Sequence, residues 1–301
     1  MPTAVVLADF RVDYTYVLPE GFSNERDVLR YLPLAIQCGG TAFHFARHGA
    51  SLLNLIILGL LGSDPSGDYI REEITKTGVS CELLRTPDHP TGIVVYITAG
   101  RSSEHRVRLT LASTPSASDR IDVSHIQNKA AFIANADALI VDGYRYLSLP
   151  SALAAQHAAQ LARKSDTISI FDLVPHDLPR RAIPIPLAEI LANYDIVITE
   201  LAGIKEILPM DASLDSEISD HDKARTVLAQ LRKLYPGVRQ WILRFGEGNM
   251  DEELVSRYPG DYEYRHTGYR DATDKVGYGE LVTCLHVRDA INNARRFERQ
   301  A

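Results

Sequence analysis

The chain has 301 residues, 45% of them hydrophobic and 24% charged, which is enough apolar surface for a large globular core and excludes a disordered or fibrous chain. Its formal net charge is -7. Its basic residues gather no further than pairs such as Arg180-Arg181 and Arg295-Arg296, so no face is set up to neutralise nucleic-acid phosphates.

Taken in chain order, apolar runs of strand length alternate with helical periodicity. Ala4–Ala8 is a buried strand; it has no basic start and runs into Asp9, so it is not read as a targeting segment. Phe10–Leu18 alternates apolar and polar residues and carries no helix. Gly39-Gly40 opens a helix over Thr41–Gly49, with Ala42, Phe45, Ala46 and Gly49 on one stripe. Leu53–Leu58 is the next strand. The apolar stretch around it, Leu52 to Leu61, is interrupted by Asn54 and falls far short of the roughly 20 residues that span a bilayer. The strand enters a turn over Gly59, Gly62, Ser63, Asp64 and Gly67, and a helix is expected to start near Asp68. Thr91–Leu111 reads as a β-hairpin turning at Gly100–Ser103. Further strands are expected at Ala138–Val141, Ile168–Phe171, Ile196–Ile198 and Trp241–Leu243. Between them, Ser151–Lys164 and Lys223–Tyr235 are amphipathic helices, and Asp211–Asp222 reads as an acidic exposed loop.

This alternation specifies an α/β fold: a doubly wound, mainly parallel sheet flanked by helices. The segments at about 10–36 and 88–112 carry no helix and form a small β-sheet lid, so residues 1–301 read as one domain with a lid. Ligands in such sheets bind outside the carboxyl ends of the strands. The three cysteines, Cys38, Cys81 and Cys284, are far apart and show no metal spacing, which fits reduced thiols in a cytoplasmic protein. A small open sheet leaves an edge and an apolar face, so a homodimer through the lid is expected.

Three segments carry candidate chemistry. Gly39-Gly40 before a helix either makes a tight turn or lets the backbone approach a ligand. Asp64 reads first as a helix cap. Asp274-Lys275-Val276-Gly277-Tyr278-Gly279-Glu280 leads into a long helix over Leu281–Phe297. Its glycines would free backbone N–H groups at the positive end of that helix, a nest suited to a transferring phosphoryl group, and Glu280 stands behind it as a proton acceptor. A plain helix cap accounts for the same residues. A dinucleotide site is not indicated, because Asp9-Phe10-Arg11 stands where GxGxxG would follow the first strand.

Together these segments resemble the ribokinase/PfkB family of carbohydrate kinases over nearly the whole chain. The resemblance rests on Gly39-Gly40-Thr41-Ala42, on Gly59-Leu60-Leu61-Gly62-Ser63-Asp64-Pro65-Ser66-Gly67, on Gly78-Val79 and Thr91-Gly92, and on the altered signature ending at Glu280. It implies a ribokinase-like fold with a β-sheet lid. It implies ATP-dependent phosphoryl transfer, with Mg²⁺, to a hydroxyl of a sugar or nucleoside. It assigns the acceptor to Asp13, Gly39, Gly40 and His44, with His44 at a position where many members carry Asn. It assigns catalysis to Gly277, Tyr278, Gly279 and Glu280, and the nucleotide side to Arg244, Gly246, Gly248 and Asp274. Tyr96, Arg106 and Arg108 in the hairpin are further candidates for the acceptor, against a solvated strand face.

The departures from the family pattern are chemical. Glu280 replaces Asp as base, and its extra methylene shifts the carboxylate by about 1 Å, a displacement that can cost about 100-fold in rate. Tyr278 replaces Ala and adds bulk beside the phosphoryl path. Where the family places Asn-x-x-Glu for magnesium, this chain reads Thr199-Glu200-Leu201-Ala202-Gly203, with no Glu at Ala202 or Gly203. Only 21 residues follow Glu280, where family members carry further helices over the adenine, so an open nucleotide site is expected. Two functional expectations stand: an active sugar or nucleoside kinase, or a catalytically impaired kinase-fold protein that binds a sugar-like ligand or partner in a regulatory role.

Overall fold

The apolar runs are strands, and most extend beyond their hydrophobic centres. The computed structural model describes residues 1–18, 32–99, 107–174, 183–204, 219–245, 252–256, 262–266 and 277–298. In chain order the strands are β1 (Thr3–Leu7), β2 (Arg11–Leu18), β3 (Ala35–Gly39), β4 (Asn54–Gly62), β5 (Ser80–Thr86), β6 (Gly92–Ala99), β7 (Val107–Ala112), β8 (Ala138–Asp142), β9 (Ile168–Asp172), β10 (Ile196–Glu200), β11 (Gln240–Phe245), β12 (Glu252–Ser256) and β13 (Tyr262–His266). The helices are α1 (Thr41–Gly49), α2 (Pro65–Lys76), α3 (Val123–Gln127), α4 (Ala130–Ala134), α5 (Leu149–Lys164), α6 (Leu187–Leu191), α7 (Leu201–Ile204), α8 (Asp220–Leu234) and α9 (Tyr278–Glu298).

Nine strands form one sheet in the order β13-β12-β11-β10-β9-β8-β1-β4-β5. Strands β5 through β11 of that order run parallel, and β12 and β13 are appended antiparallel. The strands read as continuous apolar runs because both faces are covered. Val5, Leu7, Val141, Phe171, Val197 and Leu243 share one core with α5 and α8. Ala4, Val6, Ile140, Ile170, Ile198 and Ile242 share the other with α1, α2 and α9.

The second sheet has four strands, β3-β2-β6-β7, with β2 and β6 parallel and the outer pairs antiparallel. Its register puts Asp13, Gln37, Val94 and Ala112 on one face and Tyr14, Ile36, Val95 and Leu111 on the other. Ile36 and Leu111, on the second face, are about half exposed.

Two expectations change. The helix after the Gly59–Gly67 turn begins at Pro65, not near Asp68, because Asp64 caps it: its Oδ1 accepts the Gly67 N–H at 2.8 Å and Pro65 takes the first helical position. Asp220 and Asp222, expected in an acidic loop, form the first turn of α8, where Ser219 caps them; residues 211–218 lie outside the described residues. Among the described residues no helix is long and apolar enough to cross a membrane.

Candidate active site

Where β1 ends, the chain crosses from the large sheet to the lid, and the crossing is fixed by charge. Asp9 is 3% exposed, and its carboxylate lies between two guanidiniums: Arg145 Nη2 donates to Oδ1 at 2.6 Å and Arg11 Nε to Oδ2 at 2.7 Å. Burial raises the Asp9 pKa, but Arg11 and Arg145 outweigh it and hold the group below its ordinary value. Arg11 continues outward, donating to the Ser113 carbonyl at 2.6 Å and to Asp119 at 3.1 Å. Behind it Asp142, at the end of β8, accepts the Asp9 N–H at 2.8 Å and the Thr41 hydroxyl. Burial drives Asp142 upward, with Arg145 opposing.

Gly40 sits in the left-handed region at φ 79°, and a side chain there would collide with the Asp9 carbonyl and the Arg11 N–H. The paired glycines therefore let α1 abut the β1–β2 crossing, and the Ala42 N–H donates to the Asp9 carbonyl at 3.0 Å. Gly39 leaves room for the Asp13 carboxylate, which any Cβ would strike. In the second glycine motif the turn is structural. Gly59 accommodates the Phe10 ring, and Asp64 Oδ2 accepts the Thr91 N–H at 2.7 Å, joining the sheet to β6.

These elements enclose a cavity of about 680 Å³ between the lid and the carboxyl ends of the strands. Asp13, Gly40, His44 and Glu280 all line it, as do Arg11, Tyr96 and Tyr144. Residues from the first strand crossing and from the last helix thus meet in one place. Gly277, at φ 81°, immediately precedes α9; its carbonyl accepts the Leu281 N–H at 3.1 Å, so the N–H groups of Tyr278 and Gly279 have no acceptor inside the helix. The His44 and His48 rings crowd the position a Gly277 side chain would take. Tyr278 is 5% exposed and is not among the residues lining the cavity.

Glu280 is 9% exposed. Burial pushes its pKa up to about 8, with the charge of Asp172 adding to the rise and Arg244 opposing it. Asp172 is pushed up to about 6, again chiefly by burial. Its Oδ2 accepts the Thr283 hydroxyl at 2.7 Å, and its Oδ1 has no donor among the described residues. Arg244, at the end of β11, is 4% exposed and pairs with Glu200 at 2.9 Å. Its guanidinium lies 3.1 Å from where a Gly279 Cβ would be.

Of the residues expected on the nucleotide side, only Arg244 is described; Gly246, Gly248 and Asp274 lie outside the described residues, as does Arg106. The divalent cation does not fit the described residues. Glu200 is engaged by Arg244, Ala202 and Gly203 supply no carboxylate, and no cluster of three potential ligands is present among them. The reading from sequence missed Asp142, Asp172 and Arg145. The signal for the two acids was available: successive apolar runs stop at an acid, in ALIVD, ISIFD and IVITE.

A family model described as pfkB family carbohydrate kinase matches residues 38–240, about two thirds of the chain; the match stops before Arg244 and α9. No curated protein sequence matches. Among solved structures, ribokinase from Arabidopsis thaliana, complexed with ribose and ATP, aligns with TM-score 0.76 at 18% identity over 97% of this chain and 86% of its own. Fructokinase from Xylella fastidiosa, with bound ATP, gives 0.73 at 15% identity over 96% and 81%. Adenosine kinase from Sinorhizobium meliloti gives 0.72 at 15% identity over 97% and 88%. At these identities the likeness is one of fold.

Proposed function

The chain belongs to the pfkB family of carbohydrate kinases, and from that membership we propose that it transfers the γ-phosphoryl group of ATP to a hydroxyl of a sugar or nucleoside in the cytoplasm. The observation that carries this reading is the meeting of Asp13 and Glu280, from opposite ends of the chain, on one cavity. Asp13 accepts hydrogen bonds from the acceptor's hydroxyls, and Gly40 and His44 border the same ligand. Glu280 takes the proton of the attacking hydroxyl. The new bond joins that oxygen to the γ-phosphorus, the bond to the β-phosphate oxygen breaks, and ADP leaves. The N–H groups of Tyr278 and Gly279 meet the charge on the transferring group at the positive end of α9.

Residues 1–301 act as one domain in this reading, with the four-stranded sheet as lid. A second copy of the chain is the partner, seated on the lid face that carries Ile36 and Leu111. The net charge of -7 supports no role for nucleic acid.

The test is turnover. ATP incubated with the protein and a panel of sugars and nucleosides should give a phosphorylated acceptor, and Glu280→Gln should lower the rate by about 10²–10⁴-fold. Acceptor binding without product would instead favour the impaired, regulatory reading. That reading has one observation on its side, the engagement of Glu200 by Arg244 beside the first turn of α9.

A further inference from the structure

The four last residues that β8, β9, β10 and β11 turn toward α9 are Asp142, Asp172, Glu200 and Arg244. Strand register puts Asp142 beside Asp172 and Glu200 beside Arg244. The same side of β12 carries Glu253, opposite Arg244 and bonded to His286 of α9 at 2.8 Å. One guanidinium thus stands within a row of carboxylates at the carboxyl ends of the strands. It is 4% exposed, its Nη2 donates to Glu200, and its Nε has no acceptor among the described residues. Gly279 is what admits it. A Cβ there would lie 3.1 and 3.3 Å from the two terminal nitrogens, tighter than a side chain comfortably accepts. The guanidinium therefore sits against the first turn of α9, whose leading N–H groups have no carbonyl partner within the helix.

We propose that Arg244 is the resident cation of the phosphate site, and that a phosphate-bearing ligand is held by its guanidinium and the start of α9 without a divalent metal. This rests on the kinase reading above and sharpens it. A row of carboxylates at this position would otherwise need a cation to bring a polyphosphate near. Here the positive charge is covalently attached, planar and suited to paired hydrogen bonds with phosphate oxygens. Glu200 holds the guanidinium while the site is empty, and it competes with the ligand for the same donors. Its removal should therefore tighten binding.

The experiment is calorimetric titration of the full chain with ATP, in excess EDTA and again in excess Mg²⁺. The expected result is saturable binding in both, with dissociation constants within about threefold of each other. Arg244→Gln should weaken binding in EDTA by about tenfold or more, the value of a hydrogen bond to a charged group, and Glu200→Gln should strengthen it. Thermal unfolding checks that both variants fold, and the wild-type comparison decides even if one does not. Binding that requires Mg²⁺ overturns this inference and leaves the kinase reading standing. Absence of ATP binding in both buffers overturns both.

Discussion

A carboxylic acid displaced to about 8 changes what Glu280 does with pH in two ways. As a base it works ionised, so turnover should rise with pH through about 8 and level off above it. A flat rate profile across neutral and mildly alkaline pH would remove Glu280 from the proton transfer. In stability the sign reverses. The folded pKa lies above the ordinary value of 4.5, so the fold favours the protonated form. That stabilisation is complete below the unfolded pKa and is lost as pH rises through the folded one. Glu280→Gln cannot ionise, and it should flatten the alkaline fall in melting temperature while abolishing the rise in rate. Both readouts come from one variant, and a merely structural glutamate would move only the melting temperature.

Among the elements, α2 shows how a single carboxylate can hold a fold without touching the chemistry. Asp64 caps the helix through Gly67 and also binds the Thr91 N–H at the entry to β6. Replacing it with Ala should cost about 1–2 kcal/mol, a fall in melting temperature of about 1.5–3 °C for a chain of this length. Acceptor binding should be unchanged when measured well below the transition; a specific loss of affinity would show that the cap also shapes the site. This capping role was legible in the sequence, as were α1, the β6–β7 hairpin and the buried parallel strands, because each is written in a local pattern. Strand β5 was not, since its half-buried SCELLRT run shows neither alternation nor a continuous apolar stretch. The site was legible where glycines marked it and illegible where charge did. Arg145 binds Asp9 across 136 residues, and no local pattern encodes a partner at that distance. Arg244 was assigned to the nucleotide side by the family resemblance, but the strand register that sets it beside Glu200 exists only in the folded sheet.

For the whole molecule, the proposed second copy would seat on the lid. Its cavity face carries Asp13 and Tyr96, while the opposite face presents Ile36, Leu109 and Leu111, each at 42% exposure or more. Light scattering on the eluting protein should give twice the chain mass at micromolar concentration, and Ile36→Glu with Leu111→Glu should give a monomer. A wild-type monomer under those conditions would sink the expected partner.

The cavity is also a matter of timing. On one side the sheet adds its strands outward in the order they are made, from β8 to β13 around the early β1, so a growing chain can build its framework as it emerges. The cavity cannot be built that way, because its walls run from Asp9 to Glu280. At about 5–20 residues per second, synthesis separates those two residues by roughly 15 to 50 seconds. Throughout that interval the nascent chain carries Asp13 and the lid but not the wall that α9 supplies, and it stays without a finished pocket until α9 is made.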